Sequence, residues 1–221
     1  MGPLAQLYLF LVGLAAGLAI LAATAYRRIS PVWLRGVLLG CAVLMLGRYV
    51  ALAAHTSPEA AERWAFLRRF WFASVIGLTL PSVIAVDQLV KHPAMTPKRL
   101  LRWCAPWLAV QAALLLFAPL RLVPDSIGAW AVRMDAPWRW VLSATQALFV
   151  LGFLFLCLKL LRLLPAGPGR RALAALAAAQ AWLGLDGVVL ALGGSYFRPY
   201  LFSEMAVLLA LWYAYETTAR P

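Results

Sequence analysis

Apolar residues fill seven long stretches of this chain, and polar residues concentrate in the short segments between them. Each stretch approaches the roughly 20 residues that a helix needs to cross a hydrocarbon core about 30 Å thick. None shows the alternation of apolar and polar residues that marks the strands of a membrane barrel. The pattern therefore predicts a single domain, residues 1–221, that is an all-α integral membrane bundle of seven helices. The predicted spans are residues 4–26, 32–54, 70–90, 103–120, 140–164, 172–192 and 200–215.

Composition and charge agree with this class of protein. Hydrophobic residues make up 64% of the chain and charged residues 13%, which leaves too little polar surface for a water-soluble domain. The net charge of +12 raises the question of nucleic-acid binding. The basic residues, however, lie at the ends of the spans rather than along an amphipathic stripe or in an RNA-binding motif. We therefore predict a lipid bilayer as the partner and no nucleic acid.

The basic residues favour one orientation of the bundle. Those in or beside the first, third and fifth loops are Arg27, Arg28, Arg35, Lys91, Lys98, Arg99, Arg102, Lys159, Arg162, Arg170 and Arg171. Loops rich in Lys and Arg tend to stay on the cytoplasmic side of a membrane. The other loops also contain arginines, but they carry nearly all of the loop carboxylates: Glu59, Glu62, Asp125 and Asp135. The sequence thus predicts an N-terminus outside the cell and a C-terminus in the cytoplasm.

Small residues predict where helices approach one another. Gly13 with Gly17, and Gly36 with Gly40, form two GxxxG pairs in the first and second spans. Such pairs give a helix a smooth face that allows a second backbone to come close. We expect these faces to pack against other helices of the same chain rather than to form a dimer.

Two segments on the outer side are longer than a simple connection needs. Ser57 and Pro58 have the residue types of an N-cap and a first helical position, so we expect a helix that prolongs the third span outward. Pro81 is expected to kink that span, since it lacks a backbone donor. Residues 121–139 combine prolines with tryptophans. They either fold over the outer mouth of the bundle or anchor the helices in the headgroup zone, the reading we favour.

Four polar side chains inside the spans are the candidate functional residues. Ionisable groups within a bilayer are costly and often functional. At 1.5 Å per residue, Asp186 lies about 21 Å above the inner start of its helix, and Glu204 and Arg48 fall at a similar outer depth. Gln146 adds an amide near that depth. These residues predict either an outward-facing ligand pocket or a buried ion pair with hydrogen bonds that hold the helices together.

Other kinds of chemistry lack their motifs in this sequence. His55 and His92 lie at opposite edges and belong to no cluster with metal-ligand spacing. Cys41, Cys104 and Cys157 are widely separated and are expected to pack as apolar residues. The seventh span has no lysine for a retinal Schiff base, and no phosphate-binding loop or GxSxG motif occurs. We therefore predict no metal, no cofactor and no enzymatic activity.

The third span and its approach, residues 64–90, read WAFLRRFWFASVIGLTLPSVIAVDQLV. The segment combines Trp64, the basic Arg68 and Arg69, three aromatic residues at 70–72 and Pro81 in mid-helix. This succession, the seven spans and an inward last helix ending in WYAYETTARP resemble the N-terminal seven-transmembrane sensor region of bacterial histidine kinases and related signalling proteins. The similarity extends over essentially the whole chain.

The resemblance implies a sensory input module of the bacterial inner membrane that detects a small-molecule ligand or a membrane condition. In the family, this region usually precedes a cytoplasmic sensor, kinase or cyclase domain, whereas this sequence has no phosphoacceptor or ATP-binding segment. We therefore expect the signal to pass to a separately encoded signalling protein. Two alternatives are a small-solute transporter, for which no internal repeat or PQ dipeptide is found, and a membrane enzyme that uses Asp186 and Glu204 as paired carboxylates.

Overall fold

The computed structural model describes residues 2–91, 96–124, 130–192 and 200–219. His92, Asp125 and Arg198 lie outside the described residues. The chain forms helices and one short hairpin. The helices are α1 (Pro3–Tyr26), α2 (Val32–Ala54), α3 (Pro58–Arg63), a 3-10 helix (Ala65–Phe72), α4 (Ser74–Gly77), α5 (Thr79–Val90), α6 (Pro97–Phe117), α7 (Trp138–Leu163), α8 (Pro168–Ala191) and α9 (Leu201–Ala219); the strands are β1 (Leu120–Pro124) and β2 (Trp130–Met134).

Six helical stretches of the described residues are long and apolar enough to cross a membrane. They are Pro3–Tyr26, Val32–Ala54, Ala65–Val90, Pro97–Phe117, Trp138–Leu163 and Pro168–Leu190. The prediction of a mainly helical chain compatible with a membrane bundle is confirmed by these helices. The last predicted span corresponds to α9, which carries Glu204 and Glu216 and is not among the six. A crossing by α9 therefore stays a prediction.

Helix α9 occupies the middle of the bundle. It packs against α8, α1 and α5, while α2 packs on α1 and α7 packs on α8. The buried apolar side chains of α9 include Val207, Leu208, Leu211 and Ala214, a spacing that places them along one helix face. Helices α6 and α7 are largely exposed along their apolar length, so they form the periphery. Three other helices thus pack directly on the last helix.

The third span is broken rather than continuous. Pro81 cannot donate to the Gly77 carbonyl, and the helix is interrupted at Leu78 between α4 and α5. The predicted kink at Pro81 is therefore present as a break.

The Ser57 carbonyl accepts from the Ala61 amide, which is the bond expected of an N-cap residue. The expectation that this helix prolongs the third span is wrong, because α3 ends at Arg63 and a 3-10 helix follows.

The close approaches of helices occur at other glycines than those predicted. A Cβ atom added at Gly13, Gly17, Gly36 or Gly40 would meet nothing within 4 Å, so the expectation of close packing there within the chain is wrong. Gly47 and Gly77 lie where α2 meets the third span instead. A Cβ at Gly47 would lie 2.5 Å from the Phe70 ring, and one at Gly77 would lie 2.7 Å from Met45 Sδ and 3.2 Å from the Cys41 carbonyl oxygen.

A β-hairpin follows α6, within the segment that the sequence analysis expected either to fold over the outer mouth or to anchor the helices, and for which it predicted no strands. Strands β1 and β2 pair antiparallel, with Leu120 opposite Met134 and Pro124 opposite Trp130. The Trp130 amide donates to the His55 carbonyl oxygen at 2.9 Å, which ties β2 to the end of α2. Arg69 Nη1 donates to the Ala118 carbonyl oxygen at 2.6 Å and so satisfies an acceptor at the C-terminus of α6. The hairpin and the 3-10 helix therefore cover one end of the bundle, called here the His55 end.

Replacing Gly77 with valine should destabilise the bundle, because the new side chain must displace the buried Met45 and approach the α2 backbone. Overpacking of this kind costs typically about 1–3 kcal/mol. Unfolding in mixed detergent micelles measures the loss. Gly40→Val is the matched control on the open face of α2 and should stay close to wild type; equal losses in both variants would contradict the packing described here.

Candidate functional site

A buried ion pair joins α2 to α9. Arg48 Nε donates to Glu204 Oε2 at 2.9 Å, and Arg48 Nη2 lies 2.8 Å from Glu204 Oε1. The side chain of Glu204 has no exposed surface and that of Arg48 is 8% exposed. The second contact lacks the alignment of a hydrogen bond and is an ion pair between Arg48 Nη2 and Glu204 Oε1. The guanidinium and the carboxylate thus neutralise each other inside the apolar bundle.

Asp186 lies beside this pair, at the N-terminus of α9. Its Oδ2 accepts from the Tyr200 amide at 3.1 Å and from the Ser203 hydroxyl at 2.5 Å. The Asp186 carboxylate is almost completely buried, and the start of α9 presents the positive end of the helix dipole to it. Tyr200 has φ +75°, an unusual value for a bulky residue, and its carbonyl accepts the Glu204 amide at 2.8 Å. Asp186 therefore holds the turn that starts α9.

Three tyrosines surround these charges, and the sequence analysis did not single them out. The phenols of Tyr8 and Tyr49 interact electrostatically with Arg48, and both side chains are buried. The phenol of Tyr200 interacts with Arg48, Asp186 and Glu204. The only sequence signal for two of them is adjacency: Tyr49 follows Arg48, and Tyr200 comes just before α9.

Gln146 does not join this cluster by any hydrogen bond among the described residues. Its Nε2 is buried and has no partner there. The preceding residue, Thr145, accepts from Gln111 Nε2 at 2.7 Å, which links α7 to α6. Gln180 forms a third polar contact, donating to the Ser82 hydroxyl at 2.7 Å between α8 and α5. The structure thus brings together Arg48, Asp186 and Glu204 of the four predicted residues, and leaves Gln146 on α7 outside their network.

No protein-family model, curated protein or solved structure matches this chain. The functional interpretation therefore depends on the site itself. Within the described residues, no group of three or more His, Cys, Asp or Glu side chains is placed to hold a metal ion.

Two surface concavities lie away from the charged cluster. The larger, about 510 Å³, runs between α8 and α9 and is lined mainly by alanines with Trp182, Trp212 and Tyr213. The smaller, about 210 Å³, lies beside Arg102 and Trp103 at the start of α6. Neither is lined by Arg48, Asp186 or Glu204. A ligand-binding role of the predicted residues stays a prediction.

A second ion pair holds the other end of α9. Arg28 Nη1 donates to both carboxylate oxygens of Glu216 at 2.9 Å, linking the segment just after α1 to the last turns of α9. Arg28 is well exposed, whereas Glu216 is mostly buried. We call this side of the bundle the Arg28 end. Nearby, Tyr215 donates to the Pro81 carbonyl oxygen at 2.8 Å and contacts the Tyr26 ring edge-on at 4.9 Å.

Removing one member of the Arg48–Glu204 pair should be much more harmful than removing both. Arg48→Met and Glu204→Leu each leave a buried charge without its partner, at an expected cost of about 3–5 kcal/mol, whereas the double variant should recover most of the loss. Unfolding free energies of the four proteins in micelles form a double-mutant cycle. Additive losses would show that the two side chains do not neutralise each other.

Proposed function

We propose that this chain is a non-enzymatic, seven-span sensory module of the bacterial inner membrane that signals through α9. The observation that carries the proposal is the buried Arg48–Glu204 pair at the start of α9, on a helix whose other end is held by the partly exposed Arg28–Glu216 pair. A change at the first pair alters the forces on a helix that packs against three others. A separately encoded signalling protein would bind at the Arg28 end.

Several features support a crossing by α9 and the proposed orientation. Its 19 residues span about 28 Å at 1.5 Å per residue, close to the thickness of a hydrocarbon core. Both of its carboxylates are paired, which lowers the cost of placing them in or near lipid. The loops at the Arg28 end carry the excess of Lys and Arg, so the positive-inside rule favours the cytoplasm for that end.

A stimulus could change which charged groups pair with one another at the His55 end of α9. Among the described residues, two carboxylates, Asp186 and Glu204, share the region with one guanidinium, Arg48. Within that part of the chain, Asp186 is held by hydrogen bonds and by the helix dipole, and its carboxylate forms no ion pair. A proton or a polar ligand that binds one carboxylate would favour a different pairing, and so a different position of α9. A sensor needs a helix whose position changes in this way when the stimulus binds.

Loss of the Glu204 charge should change the distance between α1 and α9 at the opposite end. Spin labels at Arg27 and Thr218, in a chain with its three cysteines replaced by alanine, report that distance by continuous-wave electron paramagnetic resonance. Glu204→Gln keeps the size of the side chain and removes its charge, so we expect a shifted or broadened distance distribution at the Arg28 end in lipid nanodiscs.

The matched control is Gln111→Leu, which removes a buried polar contact between the peripheral α6 and α7 without touching α9. This variant should leave the Arg27–Thr218 distance unchanged. The proposed signalling route through α9 fails if Glu204→Gln folds and leaves the distance as in wild type, or if Gln111→Leu changes it equally.

A further inference from the structure

His55 lies directly after α2, and its side chain is completely buried. Its Nδ1 is 2.6 Å from the Ala51 carbonyl oxygen. Since a carbonyl only accepts, this contact places the ring proton of neutral His55 on Nδ1. Nε2 is therefore an acceptor, and it is buried without a hydrogen-bond partner among the described residues. A proton added to Nε2 would create a buried donor with nothing to receive its hydrogen bond.

The surroundings of His55 disfavour a positive charge on the ring. The Trp71 ring contacts the imidazole edge-on, with 5.3 Å between centroids. Arg68, on the same 3-10 helix, lies close enough to repel a cationic imidazole. Its own Nε is buried without a partner among the groups described. Among the described residues, the carboxylates of the adjoining segments do not pair with the ring: Glu59 and Glu62 of α3 are exposed, and Asp135, which follows β2, is paired with Arg121 at 2.8 Å.

The backbone of His55 connects this ring to the hairpin. Its carbonyl oxygen accepts from the Trp130 amide at 2.9 Å, which is a contact between α2 and β2. Trp71 and Arg68, which face the ring, belong to the 3-10 helix that packs on α2. Any movement that takes the imidazole to solvent therefore separates β2 and the 3-10 helix from the end of α2.

We propose that His55 is an acid-responsive contact that holds the hairpin and the 3-10 helix over the His55 end while it is neutral and releases them when it is protonated. The ligand of this site is the proton, and the stimulus is a fall in pH on that side of the membrane. The proposal does not depend on signalling through α9, because it concerns the cover of the bundle and not the Arg48–Glu204 pair.

The direction of the pH dependence follows from the pKa of His55. Burial lowers this pKa, the charge of Arg68 lowers it further, and the hydrogen bond to Ala51 opposes them. The open form exposes His55 to water and restores a pKa near the ordinary value of about 6.5. Above that pH the closed form has its full stability. Below about pH 6.5, the open form binds a proton at His55 more readily than the closed form does. The closed form therefore loses stability as the pH falls, until the pH reaches the lowered pKa that His55 has in the closed form.

Pulsed electron paramagnetic resonance can test the proposal on the full-length chain in nanodiscs of zwitterionic lipid. Spin labels at the exposed Leu4 of α1 and the exposed Arg133 of β2 measure the distance from the bundle to the hairpin. Between about pH 7.5 and about pH 5, we expect the wild-type distance distribution to become longer and broader. His55→Gln cannot titrate and should lose this response.

The chain has one other histidine, so His92→Gln is the matched control and should keep the full response. If His55→Gln is already open at both pH values, Arg68→Gln decides the question: with the repelling charge removed, the acid response should become smaller. The proposal is overturned if the wild-type distance does not change with pH, if His55→Gln keeps the response, if His92→Gln abolishes it, or if Arg68→Gln leaves it unchanged.

Discussion

A charged side chain among apolar helices needs a partner of opposite charge, because neither lipid nor apolar side chains can replace the water that it loses. Arg48 and Glu204 meet this requirement for each other, at a point where α2 and α9 face across the bundle. The pair fixes the depth of α9 relative to α2, since sliding either helix by one turn would separate the charges by about 5 Å. The position of the last helix therefore depends on this interaction.

The rest of the site is arranged around the start of α9. Asp186 from α8 holds the backbone of Tyr200 and the hydroxyl of Ser203, and the next residue, Glu204, binds Arg48 of α2. Helices α2, α8 and α9 therefore meet within one turn of α9. At the other end, Arg28 and Glu216 join α9 to the end of α1 near the ring contact of Tyr26 with Tyr215. One helix is thus held by charge at both ends and by apolar packing between them. This arrangement is the physical basis for the sensory role proposed above.

The sequence predicts the long helices well because bilayer length and loop charge limit the possible solutions. The bounds of α1 and α2 are predicted closely, and helix rise alone places Arg48, Asp186 and Glu204 at one depth. Depth does not determine which face of a helix a residue occupies. Gln146 has a suitable depth, but the residue beside it bonds to α6, and the GxxxG faces of α1 and α2 point away from the other helices.

The structure at the His55 end could not be predicted from local pattern. The 3-10 helix and α4 are parts of a broken third span. Gly47 and Gly77 allow this span to pack closely against α2, and these two glycines have no regular spacing in the sequence. The strands of the hairpin are only five residues long, and Pro124 ends one while Trp130 begins the other; both residue types are also typical of a headgroup segment. The hairpin is attached by the backbone bond between Trp130 and His55 and by apolar packing of Met134 with Leu114 and Phe72. Contacts between residues so far apart in the chain can be identified only in the three-dimensional structure.

The ionisation state of Glu204 in a lipid bilayer tests the central claim most directly. Isotope-edited infrared difference spectra of wild type and Glu204→Gln, recorded in nanodiscs at neutral pH, isolate the bands of this one side chain. Glu204 should show the stretching bands of an ionised carboxylate in the wild-type protein, and these bands should be lost in an Arg48→Met background. A protonated-acid carbonyl band in the wild-type protein would contradict this expectation, because a neutral Glu204 could not form the ion pair that holds α9 to α2.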